Sequence, residues 1–160
     1  MYKLVSIVLL ALAYTAQASQ ACRLVRPENF NDLQKAEVVI KGRMLSAPKL
    51  ANVRPYHVPY YRSSILVNQT LTGEPQLDGK NVEFVFYRSV NRSLRGVDKN
   101  TEVIVGLRKA REKEFDLSVQ WFSVAGPCDS MGVILPTKKN LEGVMLGIKG
   151  QYLSPDLKAR

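Results

Sequence analysis

The residues best suited to chemistry in this chain are two cysteines, Cys22 and Cys128, and a single histidine, His57. One histidine cannot build the multi-histidine zinc sites of metalloproteases. The sequence also lacks a Gly-x-Ser-x-Gly nucleophile motif and a phosphate-binding glycine loop. A cysteine–histidine nucleophile would require a free thiol. These residue types predict a protein that is not an enzyme and that needs no metal or other cofactor.

The expected state of the cysteines depends on where the chain resides. Residues 1–21 have a basic residue, Lys3, near their start, then an uncharged apolar run from Leu4 to Ala13, and small residues at their end. This order is typical of a secretory signal peptide, and the apolar run is shorter than the about 20 residues that span a bilayer. We therefore expect a secreted or periplasmic product without a stable membrane span. An N-terminal anchor or a core helix is the alternative.

Two cleavage sites fit the end of this leader. A cut after Ala18 releases a chain that begins at Ser19, whereas a cut after Ala21 makes Cys22 the first residue. In an oxidising compartment two cysteines are expected to form one disulfide, and two free thiols are the alternative. A bridge from Cys22 to Cys128 would close a loop of roughly 100 residues. For a loop of that length the chain-entropy model gives about 4–5 kcal/mol of stabilisation.

The chain is basic, with 23 Lys and Arg against 14 Asp and Glu and a formal net charge of +9. Such a surface favours acidic partners, namely an acidic protein face, an anionic glycan, anionic lipid or nucleic acid. Export makes nucleic acid the least expected of these. The basic residues are dispersed from Arg23 to Arg160, so a solvated surface that aids solubility is the alternative.

One stretch concentrates side chains that are common at binding sites. It runs from Val53 to Arg62, through the second half of a proline-rich loop over 48–59 and into the next strand. Its candidate residues are Arg54, Tyr56, His57, Tyr60, Tyr61 and Arg62. Tyr and Arg contribute large contact area and planar donors, and the loop after the first strand of an OB fold often binds ligands. The alternative is that Tyr60 and Tyr61 begin a strand and pack, while the prolines stiffen the loop.

The elements that must position these residues are five strands between two helices. Apolar alternation and β-branched runs predict strands over 36–46, 60–71, 82–86, 102–107 and 117–124. Gly42 predicts a bulge or sharp bend in the first strand. A helical turn is expected over 26–35, and a helix over 141–148 that Gly150 could cap. Five antiparallel strands with glycine bends favour a mainly β, five-stranded, partly open OB-like Greek-key barrel. A β-sandwich is the alternative.

Several short motifs, in their order, resemble a netrin-like domain, the domain type of tissue inhibitors of metalloproteinases. They are Cys22 followed by Phe30, then Ala36–Arg43, Leu71–Gly73, Thr101–Gly106, and Leu117–Val119 running to Cys128. The resemblance covers residues 22–150, which leaves 1–21 as the leader and 151–160 as an expected flexible tail. It implies an exported OB-fold module that acts through protein–protein contact.

In the inhibitors, the amino group and carbonyl oxygen of the first cysteine chelate the catalytic zinc of the target protease. The resemblance therefore implies a candidate inhibitory ridge at Cys22, Arg23 and Leu24. The family begins Cys-x-Cys, whereas this chain has one cysteine there, and Cys128 matches the partner of the family's second cysteine. We expect the chain to bind an extracytoplasmic protein. The narrower hypothesis is that this protein is a metalloprotease, which the chain inhibits. A binder of acidic polysaccharide or an anionic surface is the alternative.

Overall fold

The computed structural model describes residues 29–51, 60–87, 97–110, 119–124 and 132–153. They form a 3₁₀ helix (Phe30–Lys35), six β-strands and one α-helix. The strands are β1 (Val38–Met44), β2 (Lys49–Ala51), β3 (Tyr60–Gly73), β4 (Asn81–Tyr87), β5 (Glu102–Lys109) and β6 (Trp121–Ser123), and the helix, α1, is Lys138–Ile148. The predicted leader, both cysteines and the segment from residue 154 onward lie outside the described residues.

Five of these strands close into a barrel. Hydrogen-bonded neighbours follow the order β1-β5-β6-β4-β3, and β1 pairs again with β3 to complete the ring. This confirms the mainly β, five-stranded OB-like barrel with a helical segment before it and a helix after it. The strands are not all antiparallel, because β4 and β6 run parallel. A closed ring with an odd number of strands cannot alternate direction throughout, so one neighbouring pair must be parallel.

The remaining strand, β2, lies in a segment expected to be a loop. It pairs with Tyr60, Tyr61 and Arg62 at the start of β3. β3 is long enough to pair with β1 along its second half and with β2 along its first residues. The prediction was wrong here because three residues are too few to carry a pattern of alternation.

The predicted irregularity at Gly42 is confirmed. The pairing of β1 with β3 shifts register between Lys41 and Gly42. A Cβ atom at Gly42 would overlap the carbonyl oxygen of Leu66 and lie 2.9 Å from Cγ1 of Ile65. Only glycine therefore allows β3 to approach this closely, and the resulting bend helps the sheet to close.

Apolar side chains form one layer inside the barrel and another outside it. The inner layer consists of Val38, Ile40, Met44, Ile65, Val67, Leu77, Val82, Phe84, Phe86, Val97, Val103, Val105, Leu107 and Trp121. The outer layer packs the helices against β1 and β5, and its buried members are Phe30, Leu33, Val39, Ile104, Ile134 and Val144. The helices thus cover one side of the barrel.

The predicted C-terminal helix is confirmed and begins three residues earlier, at Lys138. Thr137 caps it, because its hydroxyl accepts a hydrogen bond from the backbone N–H of Asn140 at 3.2 Å. At its other end Gly150 has φ of +69° and donates its N–H to the carbonyl oxygen of Gly147 at 2.9 Å. Glycine adopts this left-handed conformation without steric cost, so the predicted cap fits.

The described chain continues for five residues beyond the helix. The side-chain amide of Asn31 donates to the carbonyl oxygen of Tyr152 at 3.0 Å and accepts from its N–H at 3.1 Å. The Tyr152 ring stands edge-on to Phe30 with centroids 4.8 Å apart. Tyr152, near the start of the predicted tail, is therefore held against the 3₁₀ helix.

Candidate functional site

The outer face of the barrel carries charged and aromatic side chains in a fixed register. Arg62 on β3 lies opposite Val85 on β4, Val85 lies opposite Phe122 on β6, and Phe122 lies opposite Arg108 on β5. Side chains at paired positions point to the same face of a sheet. These four residues, here called the arginine row, therefore cross four strands in one line on the outer face.

The outward orientation of the row follows from its chain neighbours. Each residue of the row has a chain neighbour that packs in or against the interior of the barrel. These neighbours are Tyr61, Phe84 and Phe86 on either side of Val85, Trp121 and Leu107. Successive residues of a strand point to opposite faces, so the row points outward. Val85 and Phe122 in its centre are buried, and the two arginines at its ends are half-buried.

Arg62 is held by an ion pair with Glu83. Its Nη2 donates to Oε2 of Glu83 at 2.7 Å, and its Nε donates to Oε1. Hydrogen bonding from Arg62 holds the pKa of Glu83 below its ordinary value, and the same bonds raise the pKa of Arg62. A two-point contact of this kind fixes the plane of the guanidinium group as well as its position.

Arg108 is held by a different contact. Its guanidinium carbon lies 5.3 Å from the centroid of the Phe122 ring, within the range of a cation–π interaction. Its Nη1 also donates to the carbonyl oxygen of Lys109 at 3.3 Å. Both ends of the row therefore present arginines whose positions are set by neighbours on the barrel.

The row also connects the bases of two loops. Tyr60, Val85, Val119 and Phe122 form a buried apolar cluster, with Ala51 and Ala110 packed against it. Ala51 and Tyr60 flank residues 52–59, and Ala110 and Val119 flank residues 111–118. These connections, between the first two barrel strands and between the last two, are the ones that OB folds often use for ligands.

The structure distributes the predicted loop residues among different environments. Tyr60 is buried in the outer cluster, and Tyr61 is half-buried against the barrel interior, with its ring 6.0 Å from that of Phe86. Arg62 stands at one end of the row. Tyr60 and Tyr61 thus pack at the start of β3, and a binding role for the loop stays a prediction.

The other predicted site residues lie outside the described part of the chain. They are the loop residues Arg54, Tyr56 and His57, the candidate ridge Cys22, Arg23 and Leu24, and the proposed disulfide partner Cys128. Their roles stay predictions.

Three members of the row were not singled out from the sequence. Val85, Phe122 and Arg108 each alternate with a residue of the barrel interior, and this alternation could have identified them as outward-facing. Alternation does not give the register between strands, which is what aligns them.

Within the described ranges, no three His, Cys, Asp or Glu side chains lie together as metal ligands would. Neither helix of those ranges has the length and apolarity needed to cross a membrane. No protein-family model matches the chain, and comparison with curated proteins gives no significant match.

Proposed function

We propose that this chain is an exported binding module that contacts a protein partner through the outer face of its barrel. The observation that carries the proposal is the in-register arginine row, which lies beside the bases of two loops on the outer face of the barrel. Arginine and aromatic residues are enriched at protein interfaces, and arginine is among the residues that contribute most to binding energy.

The way the arginines are held suits a binding surface. Ordering a long side chain on binding costs free energy, and contacts already made in the unbound protein reduce that cost. Arg62 is oriented by Glu83, and Arg108 by the ring of Phe122. A guanidinium group has more N–H donors than the two that Glu83 engages, so Arg62 can also bind a carboxylate of a partner.

The charge of the chain favours an acidic protein face as the partner surface. The formal net charge is +9, and charge complementarity accelerates encounter and disfavours basic competitors. The resemblance to netrin-like domains independently favours an exported protein that acts through protein contact. The same charge supports the alternative, an acidic polysaccharide bound without a specific site.

Two matched double variants distinguish these partners. Arg62→Gln with Arg108→Gln removes two charges from the row, and Lys138→Gln with Lys139→Gln removes two charges from the exposed side of α1. A photo-crosslinking residue at position 64 on the outer face of β3 then reports what lies against the row in the exported fraction. We expect protease-sensitive crosslinks that the arginine variant loses and the lysine variant keeps.

A different result would overturn the proposal. Crosslinks that resist protease but are removed by polysaccharide-degrading enzymes, and that weaken equally in both variants, would identify diffuse binding of acidic glycan. If position 64 gives no crosslink and only a control position on α1 captures a partner, the binding surface lies at the helix instead of at the row.

The narrower proposal of metalloprotease inhibition depends on Cys22, Arg23 and Leu24. Its support is the resemblance alone, and its mechanism requires a free amino group on Cys22. Intact-mass analysis of the exported product, with and without reductant, tests both that requirement and the predicted disulfide. A product that begins at Ser19 would exclude chelation, whereas one that begins at Cys22 would justify a direct inhibition assay.

A further inference from the structure

A cavity of about 390 Å³ opens at the end of the barrel where the parallel strands β4 and β6 begin. Its volume falls within the range of roughly 300–1,000 Å³ that is typical of small-molecule sites, and barrel mouths are common places for such sites. The arginine row does not include the residues that form its floor. The cavity therefore requires an explanation of its own.

The floor of the cavity is apolar. Leu77, Val82 and Trp121 line it, and each is only 5% exposed. All three belong to the apolar interior of the barrel. A ligand that enters the cavity would therefore place an apolar or aromatic portion against these three side chains, of which Trp121 is the aromatic one.

The rim of the cavity is polar and carries one charge that the described residues leave without an ion pair. Lys80, Asn81 and Gln120 are exposed and line the opening together with Glu83. The carboxylate of Glu83 is engaged by Arg62, whereas none of the ion pairs among the described residues includes Lys80. The rim thus offers an ammonium group and two side-chain amides.

Backbone hydrogen bonds hold this rim in place. The N–H of Lys80 donates to the carbonyl oxygen of Leu77 at 3.0 Å, and the carbonyl oxygen of Lys80 accepts from the N–H of Val67 at 3.0 Å. Across the opening, the carbonyl oxygen of Gln120 accepts from the N–H of Ala110 at 2.8 Å. A site formed before binding avoids the free-energy cost of ordering its own backbone.

We infer that this cavity binds a small organic carboxylate with an apolar or aromatic body. The body lies against Trp121, and the carboxylate lies at the rim, where Lys80 supplies the opposite charge. The amides of Asn81 and Gln120 are the polar groups available to orient it. This site goes beyond the proposed protein contact, since its floor and its charge belong to residues outside the arginine row.

The test uses three probes that separate the body from the charge. Phenylacetate has both, phenylacetamide keeps the body without the charge, and acetate keeps the charge without the body. Trp121 is the only tryptophan of the chain, so its fluorescence reports binding at the cavity, and calorimetry gives the affinities. We expect phenylacetate to bind about tenfold more tightly than phenylacetamide, and acetate to give no response.

Two exposed lysines provide the variant and its control. Lys80→Gln should remove the preference for phenylacetate over phenylacetamide, because the rim then carries no free ammonium group. Lys99→Gln removes the same charge from the turn before β5, at the opposite end of the barrel, and should keep the preference. Equal affinities for the two aromatic probes, no fluorescence response, or a preference that survives Lys80→Gln would overturn the inference.

Discussion

Arg62 and Glu83 join neighbouring strands of the barrel wall through two hydrogen bonds, one of which is Nη2 to Oε2 at 2.7 Å. The side chains are 36% and 49% exposed, so water and salt screen the attraction. Exposed ion pairs contribute about 1 kcal/mol or less to folding stability. The pair therefore orients the guanidinium group at the end of the arginine row more than it stabilises the fold.

We predict that Glu83→Gln lowers the free energy of unfolding near neutral pH by less than about 1 kcal/mol. Hydrogen bonding from Arg62 lowers the pKa of Glu83 in the folded state. A lowered pKa gives stability that is present above the unfolded pKa, about 4.3, and is lost as the pH falls through the folded value. Arg62 stays charged throughout, so it adds no pH dependence of its own. Urea unfolding near neutral pH and at strongly acidic pH measures the difference.

The control for this prediction is Glu74→Gln, since the described residues give Glu74 no ion pair. It removes the same charge from the turn between β3 and β4. The gap between wild type and Glu83→Gln should close in acid, whereas Glu74→Gln should stay within about 0.5 kcal/mol of wild type. A gap that is constant across pH would mean that Glu83 acts through packing.

Much of the barrel could be predicted from local pattern. The alternation of Val82, Phe84 and Phe86 identified β4 because one face of the strand is buried, and Gly42 marked the bend because no other residue permits the approach of Leu66. Apolar residues at helical spacing predicted the C-terminal helix. Gly150 marked its end, because glycine adopts the left-handed backbone conformation found there. Each of these features is set by steric fit or burial within a short segment, so the sequence of that segment predicts it.

The arginine row and the cavity could not be predicted in this way. Arg62 and Arg108 lie far apart in the sequence, and only the pairing of β3, β4, β6 and β5 aligns them. The parallel pairing of β4 and β6 is required by closure of the ring. The pattern of residues within one strand does not predict which strands become neighbours. Tyr60 and Tyr61 show the converse limit, because their residue type suits a binding loop while their place in β3 buries or half-buries them.

We predict that Gly147→Ala destabilises the protein by about 1–3 kcal/mol, although alanine is the better helix former. A Cβ atom at Gly147 would overlap the carbonyl group of Phe30, and backbone cannot rotate away as a side chain can. The helix would have to separate from the 3₁₀ helix and expose part of the outer apolar layer. Met145→Ala, on the exposed side of α1, is the control and should change stability by about 0.5 kcal/mol or less. An equally stable Gly147→Ala protein would contradict the close packing of α1 on Phe30.

The two hydrogen bonds between Asn31 and Tyr152 connect the start of the described fold to its end. Asn31→Ala removes both bonds to the backbone N–H and carbonyl of Tyr152. Each typical bond contributes about 1 kcal/mol net, so we expect a loss of about 1–2 kcal/mol in the free energy of unfolding. Hydrogen exchange at the Tyr152 amide should accelerate by more than exchange in the barrel strands, because the segment after Gly150 would open locally. Asn68→Ala, at an exposed position on β3, is the matched control and should leave both measurements unchanged. If the Tyr152 amide keeps its protection in Asn31→Ala, then its packing on Phe30 holds the segment without these hydrogen bonds.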